Sequence, residues 1–258
     1  MDDILYQVEN HIAVITLNRP DKANALVPAI KAQLTELLRR INMDQEVRCV
    51  LLRANGKHFC SGGDLSSMKE QSSCVDGRDR MRGASAWVKE LYNLEKPVVA
   101  AIQGCAYGAG FSMALASDFI VAANNARFCY SFLNVGLVPD MGALYLLPRR
   151  VGAARAKEIA MSHRTVSAQE AYTLGIVDYL SDPEELMQTA MKLATDLANG
   201  PTYAIGMTKN LCNRSFETDF NSYLEMETNY QAIAFQTSDH HAAVNAFFDK
   251  TTPTLTGR

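Results

Sequence analysis

Two short glycine-bearing segments hold the residues best suited to chemistry. The first is Phe59-Cys60-Ser61-Gly62-Gly63-Asp64-Leu65; the second, about forty residues on, is Gly104-Cys105-Ala106-Tyr107-Gly108-Ala109-Gly110-Phe111. Each follows a run of strand-forming residues, Cys49 to Ala54 and Val98 to Gln103, and each leads into a stretch able to open a helix. Small residues at such a place let backbone N–H groups approach a ligand closely, and a helix N-terminus adds a favourable dipole. Two such donors converging on one point make an oxyanion hole, which stabilises a thioester enolate or a tetrahedral intermediate. Taken alone, Ser61-Gly62-Gly63 also suits a plain turn, and Asp64 suits a cap on the helix after it. Asp140, between Val138-Pro139 and Met141-Gly142, has two readings: a turn or N-cap residue for a helix over 142–147, or a carboxylate with a chemical role.

The elements that must position these residues follow from periodicity. Residues 4–8 and 12–17 alternate around a Glu9-Asn10 turn and predict a hairpin. A helix is expected from Ala25 to Asn42, with Ile30, Leu34, Leu37, Leu38 and Ile41 on one face and Pro28 in its first turn. Residues 66–82 are polar and charge-rich, as in a loop or loosely packed helix covering something. A helix is expected over 84–94, another opening at Gly110, and a buried strand over 119–123. Strand, turn and helix thus recur at similar spacing, pointing to ββα repeats rather than a dinucleotide fold. Neither glycine segment fits the dinucleotide or P-loop pattern. Beyond Ala153 the chain reads as mostly helical, with Ser167 and Glu170 spaced as a capping box. Phe216, Phe220, Tyr223, Met226, Tyr230 and Ile233 form an apolar stripe that suits either core packing or a subunit interface.

Composition excludes several classes. A chain of 258 residues, 48% apolar and 21% charged, builds its core without disulfide staples. A net charge of −3 gives no footprint of a nucleic-acid binder. The six cysteines form no CxxC, and none has a neighbouring base; reduced thiols and a cytoplasmic setting are expected. The five histidines form no metal-spaced cluster, so no metal is expected. The acidic start, Met1-Asp2-Asp3, resembles no signal peptide, and no run is long enough for a membrane span.

Further segments give these residues a family context. They are Leu17-Asn18-Arg19-Pro20-Asp21-Lys22-Ala23-Asn24-Ala25-Leu26, Lys96-Pro97-Val98 through Gly104, Gly136-Leu137-Val138-Pro139-Asp140, Ala171-Tyr172-Thr173-Leu174-Gly175-Ile176-Val177, and the tail from Ala246-Phe247-Phe248-Asp249-Lys250 to Thr256-Gly257-Arg258. Together with the two glycine segments, over the whole chain and in order, they resemble the crotonase superfamily of enoyl-CoA hydratases and isomerases. The resemblance implies an α/β crotonase (ClpP-like) spiral of ββα repeats over residues 1–200. A C-terminal helical trimerisation region would follow over 201–258, giving a homotrimer or a dimer of trimers. It implies an acyl-CoA thioester substrate, with coenzyme A as part of that substrate and no separate cofactor. The implied oxyanion donors are the backbone N–H groups of Ser61 and Ala109. Lys22, Ala23, Ala25, Gly62, Gly63, Asp64 and Leu65 would lie along CoA. Phe247 and Lys250 would reach the CoA of a neighbouring subunit.

The chain departs from the hydratase branch at two positions. The two glutamates that activate water in hydratases match Ser112 and Phe132 here. A serine hydroxyl is not basic near neutrality, and a phenyl ring moves no proton. Phenylalanine there with Val-Pro-Asp downstream resembles the isomerase branch, in which the aspartate matching Asp140 is the acid/base. The expected reaction moves a β,γ double bond into the α,β position through a thioester enolate, with Tyr130 and Phe132 lining the acyl pocket or simply filling the core. Ring-expanding isomerisation of an epoxyacyl-CoA is an alternative. So are hydration with Glu70 or Asp76 as base and acyl-CoA binding without catalysis.

Overall fold

A computed structural model describes residues 2–64 and 73–258. Leu65 and Glu70 therefore lie outside the described residues. The expected hairpin forms from β1 (Ile4–Glu9) and β2 (Ile12–Leu17), turned by Asn10 and His11 in the left-handed region. Strands β3 (Cys49–Ala54), β4 (Val98–Ile102), β6 (Phe119–Ala123) and β9 (Tyr179–Ser181) continue the sheet in parallel, in the order β1-β2-β3-β4-β6-β9. A smaller sheet joins β5 (Cys105–Tyr107), β7 (Arg127–Cys129) and β8 (Val166–Ser167). The expected crotonase spiral is the fold observed.

The large sheet is covered on both faces, which is why its strands are near-continuous apolar runs. Ala13, Ile15 and Leu17, then Val50 and Leu52, then Val98, Ala100 and Ile102 face one core. Ile12, Val14, Cys49, Leu51, Val99 and Ala101 face the other. Helix α1 (Pro28–Met43) closes the first core with Ile30, Leu34, Leu38 and Ile41. It starts three residues later than expected, because Leu26 is drawn into a bridge with Gly63.

Of the two expectations for 66–82, its described part, 73–82, takes the loosely packed helix, and the helix expected over 84–94 is separate from it. A capping box of Ser73 and Asp76 opens α2 (Cys74–Ala84), which buries no side chain. After a break at Ser85, α3 (Ala86–Tyr92) buries Trp87, Val88 and Leu91. Helix α4 (Ala109–Leu115) is wholly buried. Helices α5 (Ala143–Val151), α6 (Ala153–Ser162) and α7 (Ala168–Thr173) follow, and Ser167 caps α7 by accepting the Glu170 N–H. Helix α8 (Leu186–Ala198) lays Leu186, Ala190, Ala194 and Ala198 on the second core. Helices α9 (Thr202–Arg214), α10 (Phe220–Ala234) and α11 (Ser238–Asp249) complete the chain. Beyond Ala153 the chain is mostly helical, as expected, with the two short strands β8 and β9 between helices. α10 buries nothing, so its stripe does not pack into this chain's core.

Candidate active site

The two glycine segments meet. Cys60 pairs with Ala106 as a parallel bridge, and Cys60 N donates to the Cys105 carbonyl at 2.9 Å. The close approach requires glycine. A β-carbon on Gly110 would lie 2.4 Å from the Cys60 carbonyl oxygen, and one on Gly62, whose φ is +104°, would lie 3.0 Å from the Tyr107 carbonyl oxygen. Ala109 is thereby placed at the first turn of α4, where N–H groups lack intrahelical partners. Among the described residues, the Ala109 N–H donates to nothing.

The Ser61 assignment does not hold. Its N–H donates to the Ala23 carbonyl at 2.9 Å and cannot also serve an oxyanion. Leu26 N donates to Gly62 O, and Asp64 N to Leu26 O, so the chain alternates past Gly63. The Gly63 N–H donates to nothing among the described residues. Ala23 itself is held left-handed, with φ 47°, as the cap of a 3-10 turn over Pro20–Lys22. Asn24 fixes that turn: its Oδ1 accepts from Arg19 N, and its Nδ2 donates to Asn55 O and His58 O. Asn24 is 1% exposed, an organising residue that motif matching alone does not single out.

A cleft of about 460 Å³ opens over these segments. Lys22, Ala25, Ser61, Gly62, Gly63 and Asp64 line one side. Gly108 and the loop carrying Ser131, Phe132, Asn134, Val135 and Leu137 line the other. The second side is largely apolar, and Val135 and Leu137 are exposed. Apart from Phe132, the lining residues of the 3-10 turn Ser131–Val135 escaped sequence reading, because so short a turn has no periodic signature. Asp64 lies 3.9 Å from Arg19 across an ion pair; the helix it was expected to cap falls outside the described residues. Phe132 lines the cleft as expected, whereas Tyr130 does not. Tyr130 is fully buried, donates to the Ala143 carbonyl and packs on Phe111. Phe247 and Lys250 do not line this cleft.

Asp140 is not among the residues that line this cleft; it is tied to the site through α4. Its carbonyl accepts from Ser112 Oγ at 3.0 Å and from Ala143 N at 3.1 Å. Ser112 is one helical turn from Ala109, so α4 ties the carboxylate segment to the free amide. Asp140 does not cap α5: Gly142 is the N-cap, with no side-chain cap bond. Met141 and Gly142 are both left-handed, with φ of 54° and 77°, which turns the chain sharply after Asp140. Asp140 Oδ1 is buried without a hydrogen-bond partner among the described residues. Burial pushes this carboxyl above the ordinary carboxylate range, and the charge of Lys31 on α1 partly offsets the rise. Burial likewise lowers the Lys31 ammonium, and Asp140 opposes that shift.

The remaining candidates are occupied. The Ser112 hydroxyl is fully buried and donates to the Gly108 and Asp140 carbonyls. Asp76 is committed to Ser73 in the capping box. Burial drives the Cys60 thiol up to about 12, which leaves no thiolate near neutrality. No cluster of metal-ligating side chains exists among the described residues, and no helix among them is long and apolar enough to cross a membrane.

The chain is similar to known proteins along nearly its whole length. Residues 7–258 match the family model described as enoyl-CoA hydratase/isomerase. The chain is 36% identical, over all of both chains, to the 1,2-epoxyphenylacetyl-CoA isomerase of Escherichia coli K12. It is 34% identical to the trans-2-decenoyl-[acyl-carrier-protein] isomerase of Streptococcus mutans, over 99% of this chain and 98% of the relative. A solved enoyl-CoA hydratase/isomerase from Cupriavidus metallidurans CH34 superposes with a TM-score of 0.94 at 35% identity, covering 99% of this chain and 96% of that one.

Proposed function

The chain belongs to the enoyl-CoA hydratase/isomerase family, and from that premise we propose that it shifts the double bond of a β,γ-unsaturated acyl-CoA into conjugation with the thioester. The observation that carries this proposal is Asp140 Oδ1, buried without a hydrogen-bond partner among the described residues, with no carboxylate at the Ser112 or Phe132 position. In this reaction the Asp140 carboxylate takes a proton from the α-carbon. The electron pair moves onto the thioester oxygen as an enolate. The N–H groups of Gly63 and Ala109 hold that oxygen; each such donor is typically worth ~2.7–4 kcal/mol. The electron pair then returns through the conjugated system, and the γ-carbon takes the proton back from Asp140. One carboxyl serves as base and then as acid, so protons balance and no water is consumed.

Lys22, Ala25, Gly62 and Asp64 flank the proposed CoA path, and Ala23 shapes its floor through the Ser61 bond. The apolar wall of Phe132, Val135 and Leu137 suits an acyl group. Phe247 and Lys250, exposed on α11, suit the CoA of a neighbouring subunit. A second reaction on the same enolate, ring expansion of an epoxyacyl-CoA, draws support from the 36% identity to the E. coli isomerase named above.

The test is Asp140→Asn, assayed with a β,γ-enoyl-CoA in heavy water. The wild-type chain should incorporate solvent deuterium and give a product of unchanged heavy-atom mass. The variant should lose at least about a hundredfold in kcat. A product heavier by one water would establish hydration, and full activity in the variant would remove Asp140 from the reaction.

A further inference from the structure

The tail that ends in Thr256-Gly257-Arg258 has a role beyond closing the chain. After α11, the chain turns at Lys250, held left-handed with φ 55°, and Thr251 N donates back to the Ala246 carbonyl. The tail then runs back to the start of the same helix. Asp239 Oδ1 accepts from Thr256 N and Thr256 Oγ1, and Oδ2 accepts from Gly257 N at 2.8 Å. Asp239 N and Ser238 Oγ both donate to the Arg258 carbonyl. Helix and tail thus form a closed loop whose lock, Asp239, is only 3% exposed.

Arg48 ties the loop to the core. Arg48, just before β3, donates to the Leu255 carbonyl at 3.1 Å and to the Thr256 carbonyl. It also reaches the Ala198 carbonyl at the end of α8. Gly257 packs so tightly that a β-carbon would lie 2.8 Å from Thr202 Oγ1 and 3.1 Å from Arg48 Nε. Helix α11 has little else to hold it, since Asp239 and Ala246 are its only buried residues. Its far end carries Phe247 and Lys250.

We propose that the tail is a strap that positions α11 for CoA, and that Arg48 and Asp239 are the positioning residues that close it. This rests on the proposed contact of Phe247 and Lys250 with CoA. The physical basis is preorganisation: a helix held by polar ties loses less freedom when it binds ligand. Arg48 suits the task because its planar fork reaches several carbonyls at fixed angles. An aspartate at the helix N-terminus is also favoured by the helix dipole.

The experiment compares an acyl-CoA with the matching acyl-pantetheine thioester, which lacks the adenosine diphosphate portion. Asp239→Asn keeps the size of the side chain but sets an amide donor against the tail N–H groups. It should raise KM for the acyl-CoA about tenfold, leave kcat within about twofold, and leave KM for the pantetheine thioester unchanged. Arg48→Lys should do the same. An equal change on both substrates would mean general loosening and would overturn the proposal. Phe247→Ala and Lys250→Ala serve as the control. If they leave the acyl-CoA KM unchanged, the CoA contact itself fails; if they raise it while Asp239→Asn and Arg48→Lys do not, the strap alone fails. Should the strap variants not fold, deuterium exchange on the wild-type chain decides. Addition of CoA should slow exchange in 238–250 and 254–258 together, and slowing in 238–250 alone would overturn the proposal.

Discussion

Asp140 is shaped by opposing demands. Burial raises its folded pKa above the unfolded value, so the folded chain holds the proton more tightly. Its contribution to stability is therefore fully present below about pH 4, where the unfolded carboxyl is also protonated. That contribution is lost as pH rises through the folded value, beyond which the buried charge costs stability. Asp140→Asn removes the charge at little change in shape. We expect its Tm to match wild type at pH 3.5 and exceed it at pH 8, each 1 kcal/mol of relief reading as roughly 2–4 °C at this size. Thermal melts across that range check this, and a gap that does not widen with pH would show the carboxyl to be solvated. The same residue that lowers stability is the one proposed to move the proton. At this scale the resemblance pointed to the Ser61 N–H, whereas in that segment the Gly63 N–H is the one left without a partner among the described residues. Ser61 and Gly63 are two residues apart, and only the Ala23 carbonyl, from a distant loop, decides which N–H is spent.

At the scale of elements, α9 is joined to the sheet by a buried ion pair. Lys209 Nζ donates to Asp118 Oδ2 at 2.8 Å, and the same carboxylate oxygen accepts from Val98 N at 2.7 Å. Lys209 is 9% exposed, and Gly206, one turn earlier, packs against the Glu95 carbonyl. Asp118 thus holds the entry to β4 and the position of α9 at once. Lys209→Met leaves the carboxylate without its cation and should cost ~3 kcal/mol, measured by urea unfolding. A loss below about 0.5 kcal/mol would place the pair with exposed salt bridges instead. The long, strongly patterned elements were legible in advance: the β1-β2 hairpin, the buried apolar runs of β3, β4 and β6, and the helical spacing of the apolar face of α1. The short strands β8 and β9 were not, because two or three residues carry too little pattern to outweigh a helical context.

For the whole molecule, α10 poses the main physical problem. Phe220 is 72% exposed and Ile233 54%, and Phe216 just before the helix is 76% exposed. No side chain of α10 is buried by its own chain. Of the two readings of the apolar stripe, packing into the chain's own core is therefore excluded. We propose that the stripe is covered by further copies of the chain, as a trimer or a dimer of trimers. Light scattering of the wild-type chain should give a multiple of 28.4 kDa, and Phe220→Glu with Ile233→Glu should lower that mass. A wild-type mass of one chain would end this proposal.

The amino-acid sequence determined by itself which face of each long element is buried, where the two glycine segments lie, and that the hydratase carboxylates are replaced by Ser112 and Phe132. The first two follow from local periodicity and residue size, the third from the resemblance to the hydratases. The tertiary structure alone decided which amides stay free, that Asp140 keeps a carboxyl oxygen buried and unpartnered among the described residues rather than capping α5, and that the tail returns to Arg48 and Asp239. Each of these depends on hydrogen-bond partners brought together from segments far apart in the chain, and no local pattern encodes such a meeting.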